Sequence, residues 1–175
     1  MNNLKALIIL FPENFRDEEF FIPKEGLEKA GVSVTVAGLQ PGEARGMLGR
    51  TAEPDILLDE VDIKDYDALI IPGGQGSVKY LWNNEKVLSL VKEAYEKEKV
   101  VASICLSGAV LANAGILEGK KATVFPTPES VRVLREGKAK YIDQGVVVDG
   151  KIVTAKGPAD AERFTEEILR LMAER

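Results

Sequence analysis

The sequence predicts an α/β protein whose mainly parallel sheet is covered by helices on both faces. Several apolar runs have the length of strands and are apolar on both faces, as in the interior of a parallel sheet. Segments with helical spacing alternate with these runs along the chain. No internal repeat, low-complexity tract or linker interrupts the 175 residues. We therefore expect a single domain over residues 1–175.

The predicted elements of the first half are, in order, a buried strand over 4–11, a helix over 18–30, an alternating strand over 32–38, a loop over 40–50 and a short strand over 55–59. Pro12 ends the first strand because proline cannot donate to the ladder of hydrogen bonds. Gly31 is typical of the position that follows a helix. The loop is predicted from its richness in glycine and proline.

The predicted elements of the second half are a strand over 67–72, a helix over 78–98 broken near 83–84, a strand over 100–104, a helix over 108–115, a strand over 121–125, a helix from 127, a hairpin over 146–154 and a helix over 160–173. Thr127 is a typical N-cap, and Pro128 suits the first turn of a helix. Asp149 and Gly150 favour the tight turn of the hairpin.

Composition excludes several classes of function. A net charge of -5 argues against a protein that binds the phosphate backbone of nucleic acid. The single cysteine excludes an internal disulfide and a metal site built from cysteines. The absence of histidine removes Ser-His-Asp triads, Cys-His pairs and the usual zinc sites. We therefore expect no bound metal.

The sequence also predicts where the protein resides. No stretch approaches the about 20 apolar residues that cross a bilayer. The apolar run near the N-terminus lacks a cleavage site and is interpreted as a strand, not a signal peptide. With one cysteine and no export signal, we expect a cytoplasmic protein that binds no membrane.

Three strand ends carry unusual residues. The acidic run 13–19 follows the first strand, the glycine-rich segment 72–76 follows the third, and 103–108 surrounds the cysteine at the end of the next. Ligands of open α/β sheets bind beyond the carboxyl ends of the strands. If these strands are neighbours, the three segments face one crevice.

Cys105 lies where a buried strand ends and a helix of small residues begins, an arrangement that exposes the nucleophile in α/β-hydrolases. A helix N-terminus favours the thiolate and lowers the pKa of a thiol. The alternative is a small buried apolar side chain, a common role of free cysteine. Local sequence does not decide between the two.

Gly73 and Gly74 let backbone amides approach a ligand closely, and could donate to a developing oxyanion. The alternative, which the two glycines alone favour, is a tight turn after a strand. Residues 74–79 match neither a dinucleotide-binding fingerprint nor a phosphate-binding loop, so we expect no cofactor.

Most of the acidic run is interpreted as a solvated face. Glu19 precedes the apolar residues Phe20, Phe21 and Ile22 and is the member expected to turn inward. Burial would raise the pKa of its carboxyl group. A protonated Glu19 would donate a hydrogen bond to a neighbouring thiolate, and the two groups would titrate as a pair.

Taken together, the residues resemble the DJ-1/PfpI superfamily over nearly the whole chain. The resemblance is carried by residues 6–10, Glu19 before Ile22-Pro23, 30–37, 67–74, 102–105, and 147–150 with Gly157-Pro158. It implies a flavodoxin-like three-layer sandwich with the cysteine on a nucleophile elbow. It also implies that Glu19 binds Cys105 and that the amides of Gly74 and Leu106, with Gly73 beside them, form an oxyanion site.

The sequence departs from the family pattern at three places. Leu106 stands where PfpI-type members carry a histidine, and Phe125 stands where DJ-1-type members carry one before a proline. Ser107-Gly108 replaces the usual Gly-Pro after the cysteine. Amide hydrolysis needs a proton for the leaving amine, so a peptidase is the least favoured of the family's activities.

The resemblance implies glyoxalase- or deglycase-type chemistry on a small aldehyde or glycated substrate, without glutathione. The alternatives are a redox or stress-response protein that acts through oxidation of Cys105, a cysteine peptidase-like hydrolase, and a relative that has lost catalysis. It further implies a homodimer or a larger homo-oligomer. Arg50 is a candidate contact to a partner's site, and Lys156 is a candidate at the pocket rim or a residue of a helix-entry loop.

Overall fold

A computed structural model describes residues 3–174. Its strands are β1 (Lys5–Leu10), β2 (Glu13–Phe15), β3 (Ser33–Gly38), β4 (Ala44–Gly46), β5 (Thr51–Ala52), β6 (Ile56–Leu57), β7 (Ala68–Ile71), β8 (Val100–Ile104), β9 (Lys121–Ala122), β10 (Lys140–Tyr141), β11 (Val146–Asp149) and β12 (Ile152–Ala155). Its helices are α1 (Asp17–Lys29), α2 (Gly76–Tyr80), α3 (Glu85–Glu96), α4 (Gly108–Asn113), α5 (Pro128–Glu136) and α6 (Ala161–Ala173), and short 3-10 turns cover 58–60, 63–65, 105–107 and 158–160.

Seven strands form the central sheet in the order β11-β12-β8-β7-β1-β3-β6. All neighbours in it are parallel except β11 and β12, which form the predicted hairpin. The chain runs from β1 outward to β3 and then returns to β7 on the other side of β1. The order in which the chain adds strands therefore reverses between β1 and β7. Ligands of open α/β sheets bind at such switch points.

Helices cover the sheet on both sides. Helix α1 packs against α6, which also contacts β8 and β12, whereas α3 contacts β7, β8 and α4, and α4 packs against α5. The interior strands β1, β7 and β8 are almost entirely buried, which explains their continuous apolar sequences. The prediction of a three-layer sandwich with a mainly parallel sheet is confirmed. Among residues 3–174, no helix is long and apolar enough to cross a membrane.

Several boundaries differ from the prediction. The strand expected over 121–125 is only two residues long and pairs with β10 in a separate small sheet. The loop expected over 40–50 contains β4, which pairs with β2 and β5 in another small sheet. The break near 83–84 is confirmed because Asn84 caps a new helix by accepting hydrogen bonds from the amides of Lys86 and Val87.

Candidate active site at the carboxyl ends of three strands

The carboxyl ends of β1, β7 and β8 are neighbours in the sheet. The acidic run, the glycine turn and the cysteine therefore meet in one place, because the strands that they follow are neighbours. Gly73 shows how close they are, because a Cβ atom built on it would lie 2.6 Å from Cys105 Cβ and 2.7 Å from Glu19 Oε1. Only a residue without a side chain fits between the cysteine and the glutamate.

Cys105 is held on a sharp turn. Its φ angle is 61°, in the left-handed region that side-chain-bearing residues rarely adopt, and it opens the 3-10 turn Cys105–Ser107 before α4. The amide of Phe125 donates to the carbonyl of Cys105 over 3.1 Å. The indole Nε1 of Trp82 donates to the carbonyl of Leu106 over 2.9 Å. These bonds hold a strained backbone in place, as a nucleophile elbow requires.

The glycine turn directs one amide at the thiol. Gly74 has a φ of 113°, and a Cβ atom on it would collide with the backbone of residues 14–16. The amide of Arg16 donates to the carbonyl of Gly73 over 2.9 Å. In a trans peptide the following N–H points the opposite way, so the Gly74 amide faces Cys105. The amides of Gly74 and Leu106 both lower the pKa of the thiol by hydrogen bonding.

Glu19 lies at the start of α1 with a fully buried side chain. Within residues 3–174, neither of its carboxyl oxygens has a partner at good hydrogen-bonding geometry. Burial raises the pKa of Glu19 to about 8, and this effect exceeds the opposing interactions with Cys105, Arg16 and the amide of Gly73. The carboxyl group therefore keeps its proton at neutral pH.

The expected lowering of the Cys105 pKa is wrong for the site as a whole. Burial is the largest influence, and with the charge of an ionised Glu19 it raises the pKa of the thiol to about 12. The amides of Gly74 and Leu106 act in the predicted direction but are outweighed. The helix N-terminus lowers the pKa less than expected, because α4 has only six residues and the thiol is almost closed off from water.

The acidic run is not uniformly solvated. Asp17 is buried and accepts hydrogen bonds from the amides of Leu48 (2.8 Å) and Arg50 (2.9 Å). Its interpretation as part of a solvated face is wrong, because a carboxylate that receives two backbone donors can be buried. Arg16 and Glu18 form a two-bond ion pair of 2.9 and 3.1 Å beside the site. No periodicity in the sequence distinguishes these roles.

The secondary candidates lie in other contacts. The guanidinium of Arg50 lies 3.6 Å above the ring of Phe21, and its NH2 group is 3.7 Å from a carboxyl oxygen of Glu25. Lys156 donates to Asp143 over 2.5 Å. Phe125 is 43% exposed and is joined to the elbow through its backbone.

The chain also matches known proteins over most of its length. The model of the DJ-1/PfpI family matches residues 4–171. The chain belongs to the DJ-1/PfpI family. It is 49% identical over 170 residues to the protein MJ0967 of Methanocaldococcus jannaschii, covering 97% of this chain and 83% of the relative. It is 35% identical over 166 residues to the deglycase TK1284 of Thermococcus kodakarensis, covering 95% of this chain and 98% of the relative.

The fold agrees with solved structures of the family. The crystal structure of a ThiJ/PfpI domain protein from Brachyspira murdochii superposes with a TM-score of 0.93 at 33% identity, covering 99% of this chain and 98% of that one. Against this family background, Leu106 and Phe125 leave the site without an imidazole. Any proton transfer at Cys105 must therefore use another group, and Glu19 is the buried acid beside it.

Proposed function

We propose that Cys105 and Glu19 together convert small 2-oxoaldehydes, free or bound as adducts, into hydroxy acids without glutathione. The observation that carries the proposal is that the buried carboxyl group of Glu19 lies beside Cys105 with only Gly73 between them. Burial raises the pKa of this carboxyl group to about 8. The similarity to a relative named a deglycase supports a small glycated substrate. The reaction needs one thiol and one acid, and the site holds both.

The contacts determine where the charge lies once the pair loses a proton. The sulfur receives the amides of Gly74 and Leu106 and interacts with the carboxyl group of Glu19. The carboxyl group interacts with the thiol of Cys105 and faces the amide of Gly73, and both lower its pKa. When the pair loses its first proton the charge lies on Glu19, because its pKa of about 8 is below the about 12 of the thiol. The two groups titrate as a unit, and the reactive form is the one in which the thiol proton has passed to Glu19, which leaves a thiolate beside a neutral acid.

The first step forms a hemithioacetal. The sulfur of Cys105 attacks the aldehyde carbon, a C–S bond forms, and the carbonyl oxygen becomes an oxyanion. The amides of Gly74 and Leu106 stabilise that oxyanion. Glu19 then donates its proton to the oxygen and becomes a carboxylate. For an adduct on an amine or thiol, the attacked carbon already carries a hydroxyl group. Its bond to the amine or thiol breaks as the bond to Cys105 forms, and the proton of Glu19 passes to the departing amine or thiol, which gives the same hemithioacetal.

The second step moves a proton between adjacent carbons. The Glu19 carboxylate removes the proton from the former aldehyde carbon to give an enediolate, and returns it to the neighbouring carbon. With the hydroxyl proton passing to the second oxygen, the product is a thioester of the hydroxy acid on Cys105. One carbon is oxidised and its neighbour is reduced, so no external oxidant is needed. Water then cleaves the thioester and restores the thiol.

The first test is turnover without added thiol. We expect purified protein to convert methylglyoxal to lactate and Cys105→Ala to lose this activity, measured by enzymatic lactate determination. Thr165→Val is a suitable control, because it removes a buried hydroxyl in α6 that donates to the carbonyl of Ala161. Equal lactate from wild type and Cys105→Ala would contradict the proposal. Addition of two oxygens to Cys105 under mild peroxide, without any turnover, would favour the redox alternative instead.

The second test separates the two residues. In Glu19→Gln the neutral amide can still donate to the thiolate but cannot shuttle a proton. We expect the variant to retain iodoacetamide alkylation of Cys105 across a pH series while it loses turnover. Retained turnover would exclude Glu19 as the proton-transfer group.

A further inference from the structure

Two buried hydroxyl groups connect the elbow to the glycine turn. Ser107, in the 3-10 turn that begins at Cys105, donates from Oγ to the carbonyl of Pro72 over 2.5 Å. Its oxygen also lies 2.8 Å from Oγ of Ser77, at the start of α2. The side chains of both serines are fully buried. Burial of a hydroxyl group costs free energy unless the group is hydrogen-bonded, so these bonds are needed for the stability of the buried pair.

The direction of these bonds follows from the number of protons. A serine hydroxyl has one proton, and that of Ser107 is committed to the carbonyl of Pro72. Ser77 must therefore donate to Ser107. The amide of Ser77 also donates to the carbonyl of Gly74 over 3.1 Å. These bonds run from the carbonyl of Gly74 through Ser77 and Ser107 to the carbonyl of Pro72, and we call them the serine relay. The serine relay begins and ends on the glycine turn.

The serine relay fixes the orientation of the peptide plane between Pro72 and Gly73. All peptide bonds among residues 3–174 are trans, so the amide of Gly73 points away from the carbonyl of Pro72. With that carbonyl bound to Ser107, the amide faces Glu19, with which it interacts. Three successive carbonyls are anchored in this way, those of Pro72 by Ser107, Gly73 by Arg16 and Gly74 by Ser77.

We infer that Ser107 is a positioning residue, whose hydroxyl group orients the Pro72–Gly73 peptide so that the Gly73 amide faces the carboxyl group of Glu19. Ser77 supports it by filling the acceptor site of the same hydroxyl. Ser107 stands where the resemblance leads one to expect glycine, so this chain adds a side-chain anchor to its elbow. The consequence for turnover rests on the proposed function, whereas the orientation of the amide does not.

The test measures Glu19 itself. The carboxyl carbon of Glu19 is followed by NMR in ¹³C-glutamate-labelled protein, and is assigned from its absence in Glu19→Gln. The Gly73 amide stabilises the carboxylate, so in Ser107→Ala we expect the pKa of Glu19 to rise by about one unit. Cys105, Arg16 and Glu18, the other groups that act on Glu19, are unchanged. Methylglyoxal turnover should fall by about tenfold or more, because the proton shuttle is misplaced.

Two further variants keep the inference open to refutation. Ser77→Ala leaves the bond from Ser107 to Pro72 intact, so its shift in the pKa of Glu19 should have the same sign and be smaller. Thr165→Val removes another buried hydroxyl that donates to a carbonyl, over 2.8 Å to Ala161, and should shift nothing. A wild-type titration of Glu19 in folded Ser107→Ala would overturn the inference. If Ser107→Ala does not fold, an unshifted Ser77→Ala overturns it.

The two proposals can fail separately. If the wild-type protein does not turn over aldehydes, the proposed function fails, but the titration of Glu19 still decides the role of Ser107. If turnover is present and is the same in Ser107→Ala, the proposed function stands and the positioning role is lost.

Discussion

At the scale of single residues, Glu19 makes the stability of this protein depend on pH. Its carboxyl group is fully buried and its pKa is raised to about 8, whereas in the unfolded chain it is near the ordinary value of about 4.3. Below that ordinary value the group is protonated in both states. As pH rises, the unfolded chain ionises first and gains solvation that the folded protein lacks. Stability is therefore lost between about pH 4.3 and pH 8.

We expect Glu19→Gln to remove this loss. From pH 5 to pH 8, the free energy of unfolding of the wild type should fall relative to the variant by about 3 kcal/mol, at about 1.4 kcal/mol per pKa unit. Urea denaturation across that pH range measures the difference. The matched control is Glu96→Gln, which changes an exposed glutamate at the end of α3. A constant difference between wild type and Glu19→Gln would contradict the assigned burial.

Position 74 requires glycine for two reasons, the positive φ angle of its backbone and the close approach of the backbone of residues 14–16. Gly42 has a similar positive φ of 98° but has nothing within 4 Å of a built Cβ atom. Gly42→Ala should therefore cost about 1–2 kcal/mol of stability from strain alone. Gly74→Ala should cost more and should also slow alkylation of Cys105, since the turn must move away from residues 14–16. Thermal unfolding and iodoacetamide kinetics measure the two effects, and equal results for both variants would refute this reasoning.

At the scale of the elements, the cap of α3 is the clearest local determinant. Asn84 accepts from two backbone amides and donates from Nδ2 to the carbonyl of Tyr80 over 3.2 Å, so it both ends α2 and begins α3. We expect Asn84→Ala to lower the free energy of unfolding by about 1 kcal/mol, and Asn84→Asp, which keeps the acceptor, to lower it less. Urea denaturation measures both. An equal loss would show that the cap is not responsible.

The long elements are predictable from sequence and the short ones are not. Helix α6 has a strong helical period, and strands β1 and β8 are continuously apolar. A single exceptional residue does not hide either pattern. Strands β4 and β5 have three and two residues, too few for any period to be visible. They depend on β2, which pairs with β4 from a distant part of the chain. The burial of Asp17 is unpredictable for the same reason, because its partners Leu48 and Arg50 are non-local.

At the scale of the whole molecule, the strand order decides whether the candidate residues meet. Sequence alone indicates that Glu19, Gly73 and Cys105 follow strands, and family resemblance indicates that they belong together. Their proximity requires β7 to lie between β1 and β8, which periodicity does not specify. The orientation of each amide in the site is less predictable still. It depends on peptide planes held by Arg16 and Ser107 from other segments.

Assembly is a property of the whole molecule that stays a prediction. The family resemblance implies a homodimer or a larger homo-oligomer. We expect sedimentation velocity over a range of micromolar concentrations to give a mass at least twice the 19.1 kDa of one chain. The Cys105→Ala variant is the control and should assemble equally, since the thiol is buried within its own chain. A monomer at every concentration would contradict the prediction.

The bond between Trp82 and the carbonyl of Leu106 has a practical consequence. The chain has one tryptophan, and its indole is attached to the residue that follows the cysteine. A molecule that binds to the thiol and shifts this carbonyl will change the fluorescence emission of Trp82. Ligand capture by the protein can thus be followed optically, in real time and without any label.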